Sequence, residues 1–442
     1  MNSLPIIFNS QPDAFIFYYN DEIITHEKFE LDVIRVSENI ASHKYAINLC
    51  ADRYLFAVGF VACMLRKQIS LMPASHAEKE IETLENDYAD TQRFNDKLIK
   101  TLLKENIDTL KESSFPKELD SERLVAIIFT SGSTGKPKAN LKYWGSLVDS
   151  AKRVALQLNF NKFSQHTLVA TVPPQHMYGF EMTIIFPLVI GVCVHNSRPF
   201  FPEDIRHTLE KVQSPVVLVT TPIHLRACTQ TELSWPNIDF ALSATAPLSR
   251  QLAEDVERQL QTTVREIYGC SETGVIATRT TVKDSNWTLL SKYKFTKKND
   301  GLCLVTPLSN EEIYLSDMIK QINEQQFQLI GRQSDLVKIA GKRGSLNDLK
   351  IKLGALDGVE DAVFFIPEEN PDEKARLAAL VVAPNLNIRE ITSFFKKQTD
   401  PAFMPRPLII VEKLPYNESG KLPRKSLIDL FKKSRNTLKD SA

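Results

Sequence analysis

Through residue 330, short continuous apolar runs alternate with stretches whose apolar residues recur at helical spacing. Ser214-Pro215-Val216-Val217-Leu218-Val219-Thr220 and Ile238-Asp239-Phe240-Ala241-Leu242-Ser243 read as buried strands. Leu248, Leu252, Val256 and Leu260 recur every four residues and predict a helix with one apolar face. Strands without a polar alternate face, separated by helices, predict α/β layering with largely parallel sheets. Residues 76–118 are strongly charged, with Ile81, Leu84, Leu98, Leu102 and Leu103 as scattered anchors, and predict surface helices. From 335 onward the texture changes to short strands at 359–366 and 377–382, a helix at 388–397 and a strand at 407–411. Two domains are expected, 1–333 and a smaller α+β domain 335–442, with the hinge near Ser334.

Composition adds bounds. The chain has 442 residues, 43% hydrophobic and 24% charged, enough for a sizeable core and more than one domain. Lys plus Arg and Asp plus Glu number 54 each, so no global field favours nucleic acid or an acidic membrane. The start, Met1 to Phe8, has no basic region ahead of its apolar residues, and Gln11, Asp13 and Asp21 soon interrupt it, unlike a signal peptide. The most apolar stretch, 182–194, carries Pro187 and falls short of the roughly 20 residues a bilayer span needs. A cytoplasmic protein is expected. Its six cysteines form no C-x-x-C pair, and Cys270 has no matching base, which favours a spacer over a nucleophile.

The most informative chemistry follows the apolar run 124–129. Thr130-Ser131-Gly132-Ser133-Thr134-Gly135-Lys136-Pro137-Lys138 combines glycines that let backbone N–H groups close on an anion, several hydroxyl donors and two lysines. It reads as a grip for a polyphosphate, with ATP the expected ligand. A Walker loop is excluded, because only Ser133 and Thr134 separate Gly132 from Gly135 and Lys136 precedes Pro137. Four more segments follow in order: Pro173-Pro174-Gln175-His176-Met177-Tyr178-Gly179, Tyr268-Gly269-Cys270-Ser271-Glu272-Thr273-Gly274, Gly331-Arg332-Gln333-Ser334-Asp335, and Asn417-Glu418-Ser419-Gly420-Lys421-Leu422.

In these five segments the chain resembles the adenylate-forming superfamily of acyl- and aryl-CoA synthetases, peptide-synthetase adenylation domains and beetle luciferases, over nearly its whole length. The resemblance implies two α/β lobes plus a small β-barrel in a large N-terminal domain, and a mobile C-terminal domain. It implies that Thr130, Ser131, Gly132, Ser133, Thr134, Gly135, Lys136 and Lys138 hold the phosphates of ATP. Tyr268 would stack on adenine, with Gly269 beside it, Ser271 would bond the α-phosphate and Glu272 would hold Mg²⁺. Ala244, Thr245 and Ala246 match the segment lining adenine, although Ala244 and Thr245 replace usual glycines. Asp317 would accept hydrogen bonds from the ribose hydroxyls, supported by Arg332. Lys421 would bridge the substrate carboxylate and the nucleotide at the moment charge develops. His176 would guard the acyl pocket, lined by Tyr178, Phe180, Met182, Ile223 and His224. Ser334 stands where a charged hinge residue is usual, and Ala139 replaces a usual glycine.

The implied reaction activates a carboxylic acid as its adenylate and passes the acyl group to a thiol, either CoA or the phosphopantetheine of an acyl carrier protein. A likeness to the ligases of aryl-polyene pigment clusters makes an aromatic acid the first expectation. Two other readings stay open: a medium-chain fatty acyl ligase, and a catalytically silent nucleotide-binding relative.

Overall fold

A computed structural model of the protein describes residues 3–8, 11–105, 115–130, 138–160, 166–213, 215–298, 301–307, 312–315, 317–332, 335–339, 342–367, 376–416 and 422–440. The chain divides into two compact units, Met1–Tyr293 with Pro307–Ser309, and Lys294–Thr306 with Asn310–Ala442.

The first unit is built on two sheets. In one, Phe15–Tyr19, Cys193–His195, Thr167–Ala170, Val216–Thr220, Phe240–Ser243 and Thr263–Cys270 run parallel in that spatial order. Antiparallel strands extend it at both sides, Glu22–Thr25 at one and Gly274–Thr280 with Trp287–Leu289 at the other. All five residues of Val216–Thr220 and all four of Phe240–Ser243 are buried, as expected of strands covered on both faces. The second sheet places Thr91–Phe94, Tyr45–Asn48, Ile69–Met72 and Leu124–Thr130 in parallel, closed by antiparallel Lys138–Tyr143.

The helix Arg53–Leu65 is buried almost throughout and packs on strands of both sheets. Its start is fixed by Asp52, whose carboxylate accepts from Leu55 N–H at 3.1 Å. The expected four-residue repeat forms the helix Arg250–Leu260, capped by Ser249, with Leu252, Ala253, Val256 and Leu260 turned inward. Residues 76–118 depart from expectation. Two helices form there, Glu78–Asp87 and Asp96–Leu102, but Thr91–Phe94 between them is a strand. Only Phe94 of that strand is buried, so its sequence carries no strand signal, and ladder bonds to Tyr45–Asn48 decide its conformation.

The second unit contains the three-stranded antiparallel sheet Lys294–Lys298, Gly301–Val305 and Glu312–Tyr314, and the hairpin of Asp317–Gln321 with Gln326–Arg332. The small β-barrel was expected within the large domain 1–333, with no range assigned, and these strands group instead with the unit Lys294–Thr306 and Asn310–Ala442. Further on, Asp361–Phe365, Ala378–Val382 and Leu408–Ile410 form a sheet whose central strand serves two cores by simple alternation. Ala379 and Val381 pack with Leu349, Leu353, Ile391 and Phe395, while Ala378, Leu380 and Val382 pack with Leu427 and Phe431. A reciprocal cap between Asn387 and Glu390 starts the helix Ile388–Gln398. Ser334, the expected hinge, lies outside the described residues.

Candidate active site

In the first unit, the strand Leu124–Thr130 ends at Thr130, which stands opposite Lys138 across the antiparallel pair. Ser131, Gly132, Ser133, Thr134, Gly135 and Lys136 lie outside the described residues. Along Lys138–Tyr143 alternate residues share a face, so Lys138, Asn140 and Lys142 point the same way. Two of them reach the Tyr268–Gly274 motif. Lys138 Nζ donates to Glu272 Oε1 at 2.6 Å, joining segments 134 residues apart in sequence. Lys142 Nζ donates to the Ser271 carbonyl at 2.6 Å and lies 3.3 Å from that of Glu272.

Ser271 and Glu272 lie in the turn between Thr263–Cys270 and Gly274–Thr280. That turn needs its glycines. A Cβ on Gly269 would stand 2.1 Å from the Gly274 carbonyl oxygen, and Gly274 itself has φ +73°. Burial alone would raise the Glu272 carboxyl, but the Lys138 hydrogen bond and a backbone N–H outweigh it and hold the group below its ordinary value. Lys138 moves up in return, chiefly through the same hydrogen bond. Glu272 is therefore an ionised carboxylate, its side chain 37% exposed. Cys270 is an inert neighbour: its Sγ lies 3.2 Å from Thr273 Oγ1, and burial pushes the thiol up.

Lys142 itself is buried, and so is Glu181. Glu181 accepts from Ser150 Oγ at 2.9 Å and from the Val275 N–H. Burial pushes Lys142 down and Glu181 up, and each shift is opposed by the other's charge. Neither residue was expected to matter. Lys142 reads in sequence as a solvated strand lysine, whereas Glu181 did leave a signal, being an acid at the edge of an otherwise apolar run.

Tyr268 packs against Trp287 with ring centroids 5.5 Å apart. The Arg279 guanidinium lies 4.5 Å over the Trp287 ring and donates to Glu266 Oε2 at 2.6 Å, so Tyr268 rests on a braced aromatic platform. Ala244, Thr245 and Ala246 follow the strand Phe240–Ser243 at its C-terminal end, with Thr245 exposed at φ +78°.

The carboxyl ends of adjacent parallel strands are where open α/β sheets bind ligands. Here they carry a cluster of hydroxyls. Thr171 Oγ1 lies 3.0 Å from Thr220 Oγ1 and 3.2 Å from His224 Nδ1, which is also 2.9 Å from Thr221 Oγ1. Ser243, opposite Thr220 in the sheet, has a buried Oγ without a hydrogen-bond partner, as does His224 Nε2. Burial, and then Arg198, push His224 down to about 4, so its imidazole is neutral. Tyr178 Oη donates to the Leu242 carbonyl at 2.6 Å, tying the helix Met177–Phe180 to the same strand ends. His176, half-buried, precedes the short helix Met177–Phe180. Phe180 and Met182 are core residues, Phe180 meeting Phe60 edge-on at 5.1 Å, and Ile223 is 42% exposed.

Asp317 and Arg332 belong to the second unit. They are register partners across the antiparallel hairpin, at its open end. Lys421 lies outside the described residues.

The donor set fits magnesium. Among the described residues no group of three or more His, Cys, Asp or Glu could hold a metal, so Glu272 would meet an ion as a single carboxylate. Magnesium binds in that manner, taking its other oxygens from phosphates and water. Among the described residues no helix is long and apolar enough to cross a membrane.

A family model described as AMP-binding enzyme matches residues 40–318. VraA of Staphylococcus epidermidis, named as a candidate long chain fatty acid-CoA ligase, is 24% identical over 360 residues, 75% of this chain and 78% of its own. A 2-succinylbenzoate–CoA ligase of Listeria innocua is 23% identical over 72% of this chain and 73% of its own. Among solved structures, the O-succinylbenzoate Coenzyme A synthetase MenE of Bacillus subtilis, in complex with ATP and magnesium, superposes with a TM-score of 0.81. That match covers 96% of this chain and 100% of the other at 18% identity.

Proposed function

The chain belongs to the AMP-binding enzyme family, and on that premise we propose that it is an AMP-forming acid–thiol ligase acting on a carboxylic acid through an acyl-adenylate. The observation that carries this reading is the 2.6 Å contact of Lys138, the last residue of the 130–138 motif, with Glu272 of the Tyr268–Gly274 turn. A cation from a phosphate loop beside an ionised carboxylate is what a magnesium–polyphosphate needs on its two sides.

In the first half-reaction a carboxylate oxygen of the acid attacks the α-phosphorus of ATP, and the bond to the pyrophosphate oxygen breaks. Lys136 and Lys138, with the hydroxyls and backbone of Thr130–Gly135, offset the charge gathering on pyrophosphate. Glu272 would hold magnesium, which when bound would supply charge neutralisation on the phosphate oxygens. Ser271 donates to the α-phosphate. Tyr268, with Ala244, Thr245 and Ala246, receives adenine, while Asp317 and Arg332 serve the ribose. Lys421 steadies the pentacoordinate phosphorus. In the second half-reaction a thiol sulfur attacks the acyl carbonyl, AMP leaves with the bonding electrons, and the thiol proton passes to solvent. Rotation of the C-terminal part about Ser334 would withdraw Lys421 between the steps, with a hydroxyl at the hinge in place of a charge.

The acid we propose is aromatic and carries a further polar group. Support comes from the cluster at the strand ends, where His224 Nε2 and Ser243 Oγ are buried without partners beside the Tyr178 anchor, with His176 at the entrance. A purely aliphatic chain would leave both groups dry. The thiol is CoA or carrier-protein phosphopantetheine. The test is pyrophosphate release with Mg-ATP across aryl and aliphatic acids, with and without CoA or holo carrier protein. Turnover of hydroxylated aryl acids is expected, and turnover confined to medium-chain fatty acids would replace the aromatic assignment.

A further inference from the structure

Lys142 and Glu181 are two buried residues of opposite charge that hold the two ends of the turn carrying Glu272. Lys142 binds the entering end, through the carbonyls of Ser271 at 2.6 Å and Glu272 at 3.3 Å. Glu181 binds the leaving end. It accepts the Val275 N–H, and its Oε1 packs so closely on Gly274 that a Cβ there would lie 2.4 Å away. Ser150 Oγ holds the same carboxylate oxygen from the helix Trp144–Gln157. Lysines and glutamates are almost never buried unless paired, and an isolated buried charge is costly. Apolar side chains often replace buried charges without loss of stability, so what these two charges hold is the informative feature.

We infer that Lys142 and Glu181 are positioning residues for Glu272, fixing the backbone of residues 271–275 so that the Glu272 carboxylate is presented to the metal of the nucleotide in one orientation. Lys138, on the same strand face, acts on the Glu272 carboxylate itself, whereas Lys142 acts only on the main chain behind it. The pair also links the turn to the segment Glu181–Ile185, which follows directly on the helix bearing Tyr178. The inference rests on the proposed role of Glu272 as metal ligand.

The test uses the full chain and the variants Lys142→Met, Lys142→Arg, Glu181→Gln and Glu272→Gln. Without nucleotide or metal, hydrogen–deuterium exchange of the amides of 271–275 is measured. With ATP, binding is titrated at a series of magnesium concentrations and in EDTA. Lys142→Met is expected to speed exchange across 271–275 about tenfold and to raise the magnesium concentration needed for tight ATP binding by a similar factor. ATP binding in EDTA and the KM for the acid should stay within about twofold of wild type, and Lys142→Arg should restore much of the magnesium dependence. A folded Lys142→Met protein with wild-type exchange and wild-type magnesium dependence would overturn the inference. Should Lys142→Met fail to fold, Glu181→Gln, which keeps the shape and one acceptor, carries the same expectations and the same refutation. Glu272→Gln separates the two levels. If it leaves the magnesium dependence unchanged, the metal role of Glu272 fails and the inference with it. If it raises the requirement while the Lys142 and Glu181 variants do not, only the inference fails.

Discussion

Replacing Arg53 by methionine keeps most of the buried stem and removes every donor. The Arg53 side chain has no exposed surface, and its guanidinium donates to the carbonyls of Ala170 at 3.3 Å, Val172 at 2.7 Å, His195 at 2.9 Å and Ser197 at 2.6 Å, and to Thr183 Oγ1 at 3.0 Å. Burial pushes it down to about 9, against the pull of Asp52 and with a contribution from Arg198. Each carbonyl left dry costs about 1–3 kcal/mol. Thr183 stays satisfied through its bond to the Gly179 carbonyl, and some of the buried charge's own desolvation cost is relieved. The net loss expected is about 3–5 kcal/mol, in the range for breaking a buried ionic network. Function should suffer in a particular way. Val172 leads into Pro173-Pro174-Gln175-His176, so the proposed entrance to the acid pocket would lose its anchor and the KM for the acid should rise about fivefold with that for ATP little changed. Urea unfolding of the large unit, followed separately because two units need not unfold in one step, gives the stability. A loss below about 1 kcal/mol together with an unchanged KM for the acid would refute the reasoning.

Gly269→Ala places a methyl 2.1 Å from the Gly274 carbonyl oxygen, backbone against backbone, and should cost about 1–3 kcal/mol and most of the ATP affinity by calorimetric titration. Lys138→Met should change stability by less than about 1 kcal/mol, because its ion pair with Glu272 is largely exposed, yet weaken Mg-ATP binding about tenfold. Burial pushes His26, His195 and His224 each down to about 4 from an ordinary value of 6.5, with Arg53 adding for His195 and Arg198 for His224. Their folded values lie below the unfolded one, so their stabilising effect is complete above 6.5 and is lost as the pH falls towards about 4, each histidine contributing at most about 3 kcal/mol. Denaturation midpoints should fall steadily across that window, and a flat profile would contradict the burial of these rings as neutral groups.

The layering was legible because buried parallel strands leave unbroken apolar runs, as at Val216–Thr220 and Phe240–Ser243. The helix Arg250–Leu260 was legible from a four-residue repeat. Thr91–Phe94 was not, since three of its four residues remain partly exposed and helical charge patterns flank it on both sides. The five segments carried the family resemblance by type and order; that resemblance implies Lys138 and Glu272 in one site, and their side chains are in contact. What stayed hidden was the support beneath them. Arg53 and Lys142 look in sequence like solvated charges, Glu181 left only its place at the edge of an apolar run, and the fold reveals that all three are buried and what they hold. Hydropathy ranks a residue by its own chemistry, whereas these three are explained by their partners.

The central claim is that the carboxylate of an acid attacks the α-phosphorus of ATP. It is tested most directly by incubating the protein with Mg-ATP, a thiol acceptor and an aryl acid labelled with oxygen-18 in its carboxyl group, then analysing the nucleotide and phosphate products by mass spectrometry. One label per turnover in AMP, with unlabelled pyrophosphate, is the predicted result. Label appearing in inorganic phosphate with ADP as the nucleotide product, or AMP formed at the same rate without any acid, would contradict it.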